Sequence, residues 1–84
     1  MCGLFAYAGR LNAVPILIDG LHSVEYRGYD SAGISVITRS GNIETHKRGD
    51  HKASLDNLHK AVIEDQLFGF VGIGHTRWAT HGVV

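Results

Sequence analysis

Apolar residues recur along the chain in patterns that predict short strands alternating with two helices. The first apolar run covers residues 4–8, is closed by Gly9, and predicts a buried strand that begins close to the N-terminus. Apolar residues then return every three or four positions, which predicts a helix with one apolar face: Val14, Leu17, Ile18, Leu21 and Val24. We expect Asn12 to cap this helix, which should run to about Tyr26 and stop at Gly28.

The middle of the chain predicts a β-hairpin. Residues 33–38 are rich in β-branched side chains and predict a strand, and residues 39–42 have the composition of a turn. Residues 43–47 alternate apolar or β-branched with polar side chains, which indicates a returning strand with one face in water. We expect Lys47 and Arg48, at the end of this strand, to be solvent-facing.

A second, weaker helix and a last strand complete the pattern. The apolar face of the helix consists of Leu55, Leu58 and Val62, and we expect Asp50 to cap it and Ser54 to lie on its outer side. Residues 68–74 predict a buried strand whose glycines indicate close approach of another backbone. The order strand, helix, hairpin, helix, strand is typical of an α+β fold.

Length, charge and cysteine content narrow the class of protein. Eighty-four residues make one domain at most, and eight basic residues balance eight acidic ones, so no net field favours nucleic acid or an anionic membrane. The single cysteine excludes an intramolecular disulfide and suits a reducing compartment. The chain has neither a signal-peptide pattern nor an apolar run long enough to span a membrane. We therefore expect a cytoplasmic protein.

The single cysteine, Cys2, is the first candidate for chemistry. If Met1 is removed, the thiol of Cys2 and a free α-amine belong to one residue. The thiolate is the reactive form of cysteine, and an α-amine with a pKa of about 7.7–8.0 can accept the thiol proton. Gly3 would leave room for a substrate beside the backbone. Taken alone, a single cysteine at position 2 is usually an ordinary small residue in a frayed terminus, and the other motifs decide.

Two further polar stretches follow the ends of predicted elements, where sites are usually built. Residues 25–33 are explained equally well by a helix end with a local contact between Arg27 and Asp30. Residues 75–82 place an arginine next to a tryptophan, Arg77 and Trp78, which is also the composition of a cation–π pair. From the residues alone, both alternatives stay open.

We expect no metal and no cofactor. His75 and His81 lie six residues apart, which does not fit the i,i+4 spacing of a helical metal-binding pair. Cys2 is the only thiol. Donor types and spacing therefore disfavour a metal site.

Three motifs together resemble a known family. They are MCG at 1–3, VEYRGYDSAG at 24–33 and HTRWATHG at 75–82. In this order they resemble the glutaminase half of the glutamine–fructose-6-phosphate aminotransferases, which are class II glutamine amidotransferases of the N-terminal nucleophile (Ntn) hydrolases. The resemblance extends over nearly the whole chain. The tyrosines on either side of Arg27-Gly28 favour this amino-sugar branch over the purine-pathway amidophosphoribosyltransferases and the asparagine synthetases.

The resemblance implies a role for each matching residue. Cys2, freed of Met1, would attack the side-chain amide of glutamine and form a thioester that water then hydrolyses. The implied glutamine-binding positions are Arg77, Trp78, Thr80 and His81. Among them, Arg77 would clamp the substrate α-carboxylate, a task suited to a planar guanidinium, and Trp78 would begin a loop that closes over the site. Arg27 would support the surroundings of the nucleophile.

The resemblance also implies a fold, a reaction and partners. The family fold has four layers, with two stacked antiparallel sheets between helices, and residues 1–84 would be the N-terminal portion of that glutaminase domain. We expect the rest of the domain, including an Asn-Gly oxyanion pair and an acidic residue that binds the glutamine α-amine, and the sugar-isomerase domains to follow in a longer, homo-oligomeric enzyme. That enzyme would pass ammonia to fructose 6-phosphate and make glucosamine 6-phosphate.

Two alternatives remain at this point. The chain is also compatible with a non-catalytic fragment that binds glutamine or a partner, and with an amidotransferase that has another ammonia acceptor. In the isolated chain, we expect five apolar strand residues to lose their facing layer, namely Phe5, Ile34, Val36, Val71 and Ile73. Such a loss predicts a molten, aggregated or associated state.

Overall fold

A computed structural model describes residues 3–24, 30–49 and 53–77 and confirms the α+β class. The elements in chain order are β1 (Gly3–Ala8), α1 (Ala13–Ser23), β2 (Ser31–Ile37), β3 (Ile43–Arg48), α2 (Ser54–Glu64) and β4 (Val71–Arg77). The strands form one antiparallel sheet in the order β1-β4-β2-β3, and both helices pack on it. Neither helix is long and apolar enough to cross a membrane within the described ranges.

Helix α1 begins where its cap predicts. The Asn12 side-chain oxygen accepts a hydrogen bond from the Val14 N–H at 3.1 Å, which satisfies one of the free donors of the first turn. The predicted apolar face is buried against the sheet, with Leu17 and Leu21 at 1% and 0% exposure. The helix ends at Ser23; the predicted end, at residues 26 and 28, falls outside the described residues.

The hairpin of β2 and β3 is confirmed, and β2 starts two residues before the predicted strand. Its turn depends on Gly41, which has a φ of +89° and donates its N–H to the Thr38 carbonyl at 2.9 Å. Only glycine adopts this backbone conformation at little cost. Thr38 in turn donates its N–H to the Asn42 carbonyl at 2.8 Å, which closes the hairpin.

The last strand lies three residues further along the chain than predicted, since β4 is Val71–Arg77 and not 68–74. Before it, the rings of Phe68 and Phe70 pack edge to face at 5.2 Å, and the Gly69 carbonyl accepts the Ala13 N–H at 2.7 Å. β4 continues through polar residues because it is a central strand, paired with β1 on one side and β2 on the other. The end of β4 is therefore determined by hydrogen bonding to β1 and β2, and not by where its apolar residues stop.

The glycines of β4 leave room for side chains of α1 and for the neighbouring strand β2 to pack closely on this strand. An added Cβ at Gly72 would lie 2.6 Å from Val36 Cγ1 and 3.0 Å from Leu17 Cδ1. Helix α2 packs on β2 and β3 and buries Leu55, Leu58 and Val62. Ser54, predicted on its outer side, is instead fully buried, and its hydroxyl donates to the Asp30 carbonyl at 2.9 Å. Asp50, its predicted cap, lies outside the described residues.

The helices cover only one face of the sheet. β1 and β4, predicted as fully buried strands, alternate between covered and exposed positions. Exposed apolar side chains on the open face are Leu4, Ile37, Ile43, Val71 and Ile73. Of the five residues expected to lose a facing layer, only Val71 and Ile73 do so, because the others lie on the helix side. The second sheet of a four-layer fold is not among the described residues.

Candidate functional site

One of the six predicted site residues, Arg77, is part of the described structure. The others lie outside the described residues: Cys2, Arg27, Trp78, Thr80 and His81. The described structure includes residues near each of them in sequence. Gly3 directly follows Cys2, and Arg77 directly precedes Trp78. Val24 and Asp30 belong to the second motif and lie on either side of residues 25–29.

The three motifs meet at the same end of the sheet. In the β1–β4 ladder Gly3 is opposite Thr76, and in the β2–β4 ladder Ser31 is opposite Arg77. One stretch of β4 therefore pairs with the last residue of the first motif on one side and with the last part of the second motif on the other. These contacts join residues more than 40 positions apart in sequence, and no local pattern could have predicted them.

Gly3 is enclosed on the helix-covered side of the sheet. Its N–H donates to Thr76 Oγ1 at 3.2 Å. An added Cβ would lie 3.1 Å from that oxygen and 3.1 Å from Val24 Cγ2. The space left by the missing side chain is thus filled by Thr76 and Val24, and not open to a substrate as the sequence suggested. Here glycine permits tight packing immediately after the cysteine.

A second set of hydrogen bonds fixes the backbone next to Arg77. The Asp30 N–H donates to the Arg77 carbonyl at 2.7 Å, and the Ser54 hydroxyl donates to the Asp30 carbonyl at 2.9 Å. The start of α2 is thereby tied to the end of the second motif, which is tied to the end of β4. Sequence reasoning missed Ser54, because a serine at the start of a helix ordinarily indicates a cap or an exposed position.

Arg77 borders a small hollow on the open side of this sheet end. The hollow has a volume of about 270 Å³ and is lined by Ser31, Ala32, Lys47, Arg48, Gly49, His75 and Arg77. Lys47 and Arg48, expected to be merely solvent-facing, both line this hollow with Arg77. Adjacent strand residues point to opposite faces of a sheet, and the Arg48 guanidinium donates to the Lys47 carbonyl at 2.6 Å. By the ladder register Lys47 and Arg77 lie on the same face of the sheet. Two permanent cations beside one opening favour an anionic group, and a guanidinium can bind a carboxylate through two parallel hydrogen bonds.

His75 does not add charge to the hollow at neutral pH. Partial burial lowers the pKa of His75 below its usual 6.5, and the nearby charge of Lys47 lowers this pKa further. The imidazole lies over Gly33 of the neighbouring strand, where an added Cβ would be 2.5 Å from His75 Nε2. A neutral histidine thus forms part of the wall of the hollow, and the positive charge there comes from lysine and arginine side chains.

Within the described ranges, no three His, Cys, Asp or Glu side chains come together as a candidate metal site.

The sequence relatives of this chain that we compared all have the same name. The chain is 50% identical over 82 residues to a glutamine–fructose-6-phosphate aminotransferase (isomerizing) of Clostridium tetani, with 98% of this chain and 13% of that protein aligned. The enzymes of the same name from Thermus thermophilus and Methanosarcina acetivorans are 52% and 51% identical over 82 residues, again 98% of this chain but 13% and 12% of theirs. The chain thus spans about one eighth of the length of these relatives. No family model matches it.

A solved structure has a similar fold. It is the glutamine phosphoribosylpyrophosphate amidotransferase of B. subtilis, complexed with ADP and GMP. The TM-score is 0.74 at 30% sequence identity, and the match covers 96% of this chain and 17% of that one. The relatives named glutamine–fructose-6-phosphate aminotransferase are more identical in sequence to this chain than this structural neighbour is, in agreement with the preference drawn from the tyrosines of the second motif.

Proposed function

Because this chain is a relative of the glutamine–fructose-6-phosphate aminotransferases along nearly its whole length, we propose that it is the N-terminal portion of a glutaminase domain. The domain hydrolyses glutamine, and the parent enzyme transfers the ammonia to fructose 6-phosphate to make glucosamine 6-phosphate. The observation that carries the proposal is the meeting of the three motifs at one end of the sheet. We further propose a cytoplasmic, homo-oligomeric parent enzyme that needs no cofactor for this half-reaction.

Cys2 is the proposed nucleophile, after removal of Met1. Its sulfur adds to the amide carbon of glutamine, and the thiol proton passes by way of the α-amine to the departing ammonia. Water then hydrolyses the thioester, which releases glutamate and restores the thiol. One residue thus contains both the nucleophile and its base.

Arg77 is the proposed clamp for the glutamine α-carboxylate. The ladder register supports this pairing with the nucleophile, because Gly3 is opposite Thr76 and these two residues directly follow Cys2 and directly precede Arg77. The nucleophile and the clamp are thus each one residue from the Gly3–Thr76 pair. Each Cα is therefore only about 3.8 Å from the Cα of a paired residue. The cations beside Arg77 also favour an anionic group at this end of the sheet.

The remaining assignments follow the motif positions. We propose that Thr80 and His81 line the glutamine pocket and that Trp78 begins a loop that shields the thioester from water. Arg27 would support the surroundings of the nucleophile without contacting the substrate. The hydrogen bond between the Asp30 N–H and the Arg77 carbonyl supports these roles, because it holds a residue of the second motif next to a residue of the third.

The test compares the wild-type full-length protein with Cys2→Ala, using glutamine with and without fructose 6-phosphate. We expect Cys2→Ala to abolish glutamate release while thermal unfolding stays unchanged. Mass spectrometry of the active wild type should show that Met1 is absent. Glutamate release by Cys2→Ala, or an active enzyme that retains Met1, would contradict the mechanism. Glutamine hydrolysis without formation of glucosamine 6-phosphate would contradict only the proposal that fructose 6-phosphate accepts the ammonia.

A further inference from the structure

Thr76 has an unusual position on the central strand β4. Its side chain is only 4% exposed and lies on the helix-covered face, where its cross-strand neighbours are Gly3 and Ala32. Because both neighbours are small, the Thr76 side chain can come close to the backbone of β1. A buried hydroxyl is costly unless it forms a hydrogen bond, and here it accepts one from the Gly3 N–H at 3.2 Å.

The Gly3 N–H belongs to the peptide that joins Gly3 to Cys2. The six atoms of a peptide unit lie in one plane, so a group that holds the N–H also restrains the plane that contains the Cys2 Cα. Val24 restrains the same unit from the end of α1, since its Cγ2 lies 3.1 Å from the position of an added Gly3 Cβ. The peptide is thus held by a hydrogen bond to its nitrogen and by packing beside its Cα.

We propose that Thr76 is a positioning residue for the nucleophile, acting through its hydroxyl on the Cys2–Gly3 peptide. This inference rests on the proposed function, because it takes Cys2 as the attacking residue. Thr76 touches neither the substrate nor the reacting atoms in this role. It limits the places that the Cys2 Cα can occupy, and a displacement of about 1 Å at a reacting group can cost about 10²-fold in rate.

The experiment uses substitutions that separate the hydroxyl from the volume of the side chain. Thr76→Val keeps the shape and removes the hydroxyl, while Thr76→Ser keeps the hydroxyl and removes the methyl group. In the full-length protein we expect Thr76→Val to lower kcat for glutamine hydrolysis by about tenfold to a hundredfold, with KM for glutamine within about twofold. Thr76→Ser should retain kcat within about threefold of wild type. KM should remain unchanged because the Arg77 carbonyl is held by a separate hydrogen bond, from the Asp30 N–H.

Thr45→Val is the matched control. It removes a hydroxyl from another strand of the same sheet, where Thr45 Oγ1 and Ser35 Oγ form a 2.7 Å hydrogen bond away from the three motifs. We expect unchanged kcat and KM. If Thr76→Val fails to fold, Thr76→Ala and Thr76→Ser form a second pair that differs only by the hydroxyl, and Thr76→Ala should show the same loss of kcat.

Three results would overturn the proposal: full kcat in the variants without a hydroxyl, equal losses in Thr76→Ser and Thr76→Val, or a raised KM with normal kcat. The Cys2→Ala measurement keeps this outcome separate from failure of the proposed function. If wild-type activity depends on Cys2 and Thr76→Val is fully active, only the positioning role is wrong.

Discussion

Gly3 is the residue at which the packing of the sheet and the proposed chemistry meet. Its covered side is occupied by the Thr76 hydroxyl and the Val24 side chain, each 3.1 Å from an added Cβ. We therefore predict that Gly3→Ala shifts the start of β1 and lowers kcat for glutamine hydrolysis by at least about tenfold. Steady-state kinetics of the full-length protein provide the measurement. Wild-type kcat in this variant would show that the contacts relax without moving the nucleophile.

A pH effect is expected at His75. Folding lowers its pKa below 6.5, first through burial and then through the charge of Lys47. Between the folded and unfolded pKa values the unfolded chain binds more protons, so this contribution to stability is present above pH 6.5 and is lost as the pH falls through the lowered pKa.

The measurement compares urea unfolding of the full-length wild type and two variants between about pH 5 and pH 8. His75→Gln should reduce the loss of stability on the acid side. Lys47→Met should reduce it less, because burial is the larger cause of the pKa shift. An acid-side loss as steep in His75→Gln as in wild type would contradict the prediction.

At the scale of elements, α1 packs against β4 at two glycines, Gly72 and Gly74, which differ in how much room they leave for a side chain. An added Cβ at Gly72 would lie 2.7 Å from the Ser35 carbonyl oxygen and 3.0 Å from Leu17 Cδ1. At Gly74 its nearest neighbours would be Leu21 Cδ1 at 3.3 Å, Leu21 Cγ at 3.5 Å and Leu17 Cβ at 3.6 Å. We predict that Gly72→Ala lowers the free energy of unfolding by about 1–3 kcal/mol through overpacking.

Gly74→Ala is the matched control for that substitution, with the same chemical change on the same strand and face. We expect it to change the free energy of unfolding by less than about 1 kcal/mol, because the flexible Leu21 side chain can move. Denaturant titration of the two variants provides the measurement. Equal destabilisation would mean that the strand tolerates no side chain at either position.

The start of α1 allows a second test of an element. The Asn12 side-chain oxygen accepts the Val14 N–H at 3.1 Å and, more weakly, the Gly69 N–H at 3.4 Å, so it links the helix to the segment before β4. Asn12→Ala should cost about 0.5–2 kcal/mol of stability, whereas Asn12→Asp, which retains an acceptor oxygen, should cost less. Thermal unfolding of the two variants measures this difference. A loss as large in Asn12→Asp would argue against the cap.

The whole molecule presents an apolar sheet face to solvent. Ile43, Val71 and Ile73 are 72%, 43% and 46% exposed on this face. Large contiguous apolar patches are rare on soluble monomers, so we predict that the isolated 84-residue chain associates or binds a hydrophobic dye. Light scattering with size-exclusion chromatography measures the mass. A monomer with a sharp, cooperative thermal transition would contradict the prediction.

Charge substitutions test whether the open face causes the association. The pair Ile43→Lys and Ile73→Lys should shift the isolated chain toward monomer, because two charges on the patch oppose its burial. Ile63→Lys is the control, since Ile63 is 62% exposed but lies on α2 and not on the open face. If Ile63→Lys has the same effect, net charge and not this face controls association.

Much of the secondary structure could be predicted from local sequence. The Asn12 cap, the apolar face of α1 and the turn at Gly41 depend on interactions within a few residues, and all three are present. The three motifs also predicted which residues form the candidate site. Of these proposed site residues, Arg77 is the one within the described structure. The limits of β4 and the burial of Ser54 were predicted wrongly, because each depends on a distant partner.

The sequence by itself determined the α+β class, the likeness to an amidotransferase and the residue types available for chemistry, because these follow from periodicity, turn residues and motifs. Only the tertiary structure decided that β4 lies between β1 and β2, and that the Thr76 hydroxyl contacts Gly3 across 73 positions of sequence. The physical reason is that hydrogen bonds between strands join residues far apart in sequence, and no local sequence pattern indicates which residues will pair. Such contacts form only when the sheet assembles, and they bring the three motifs together.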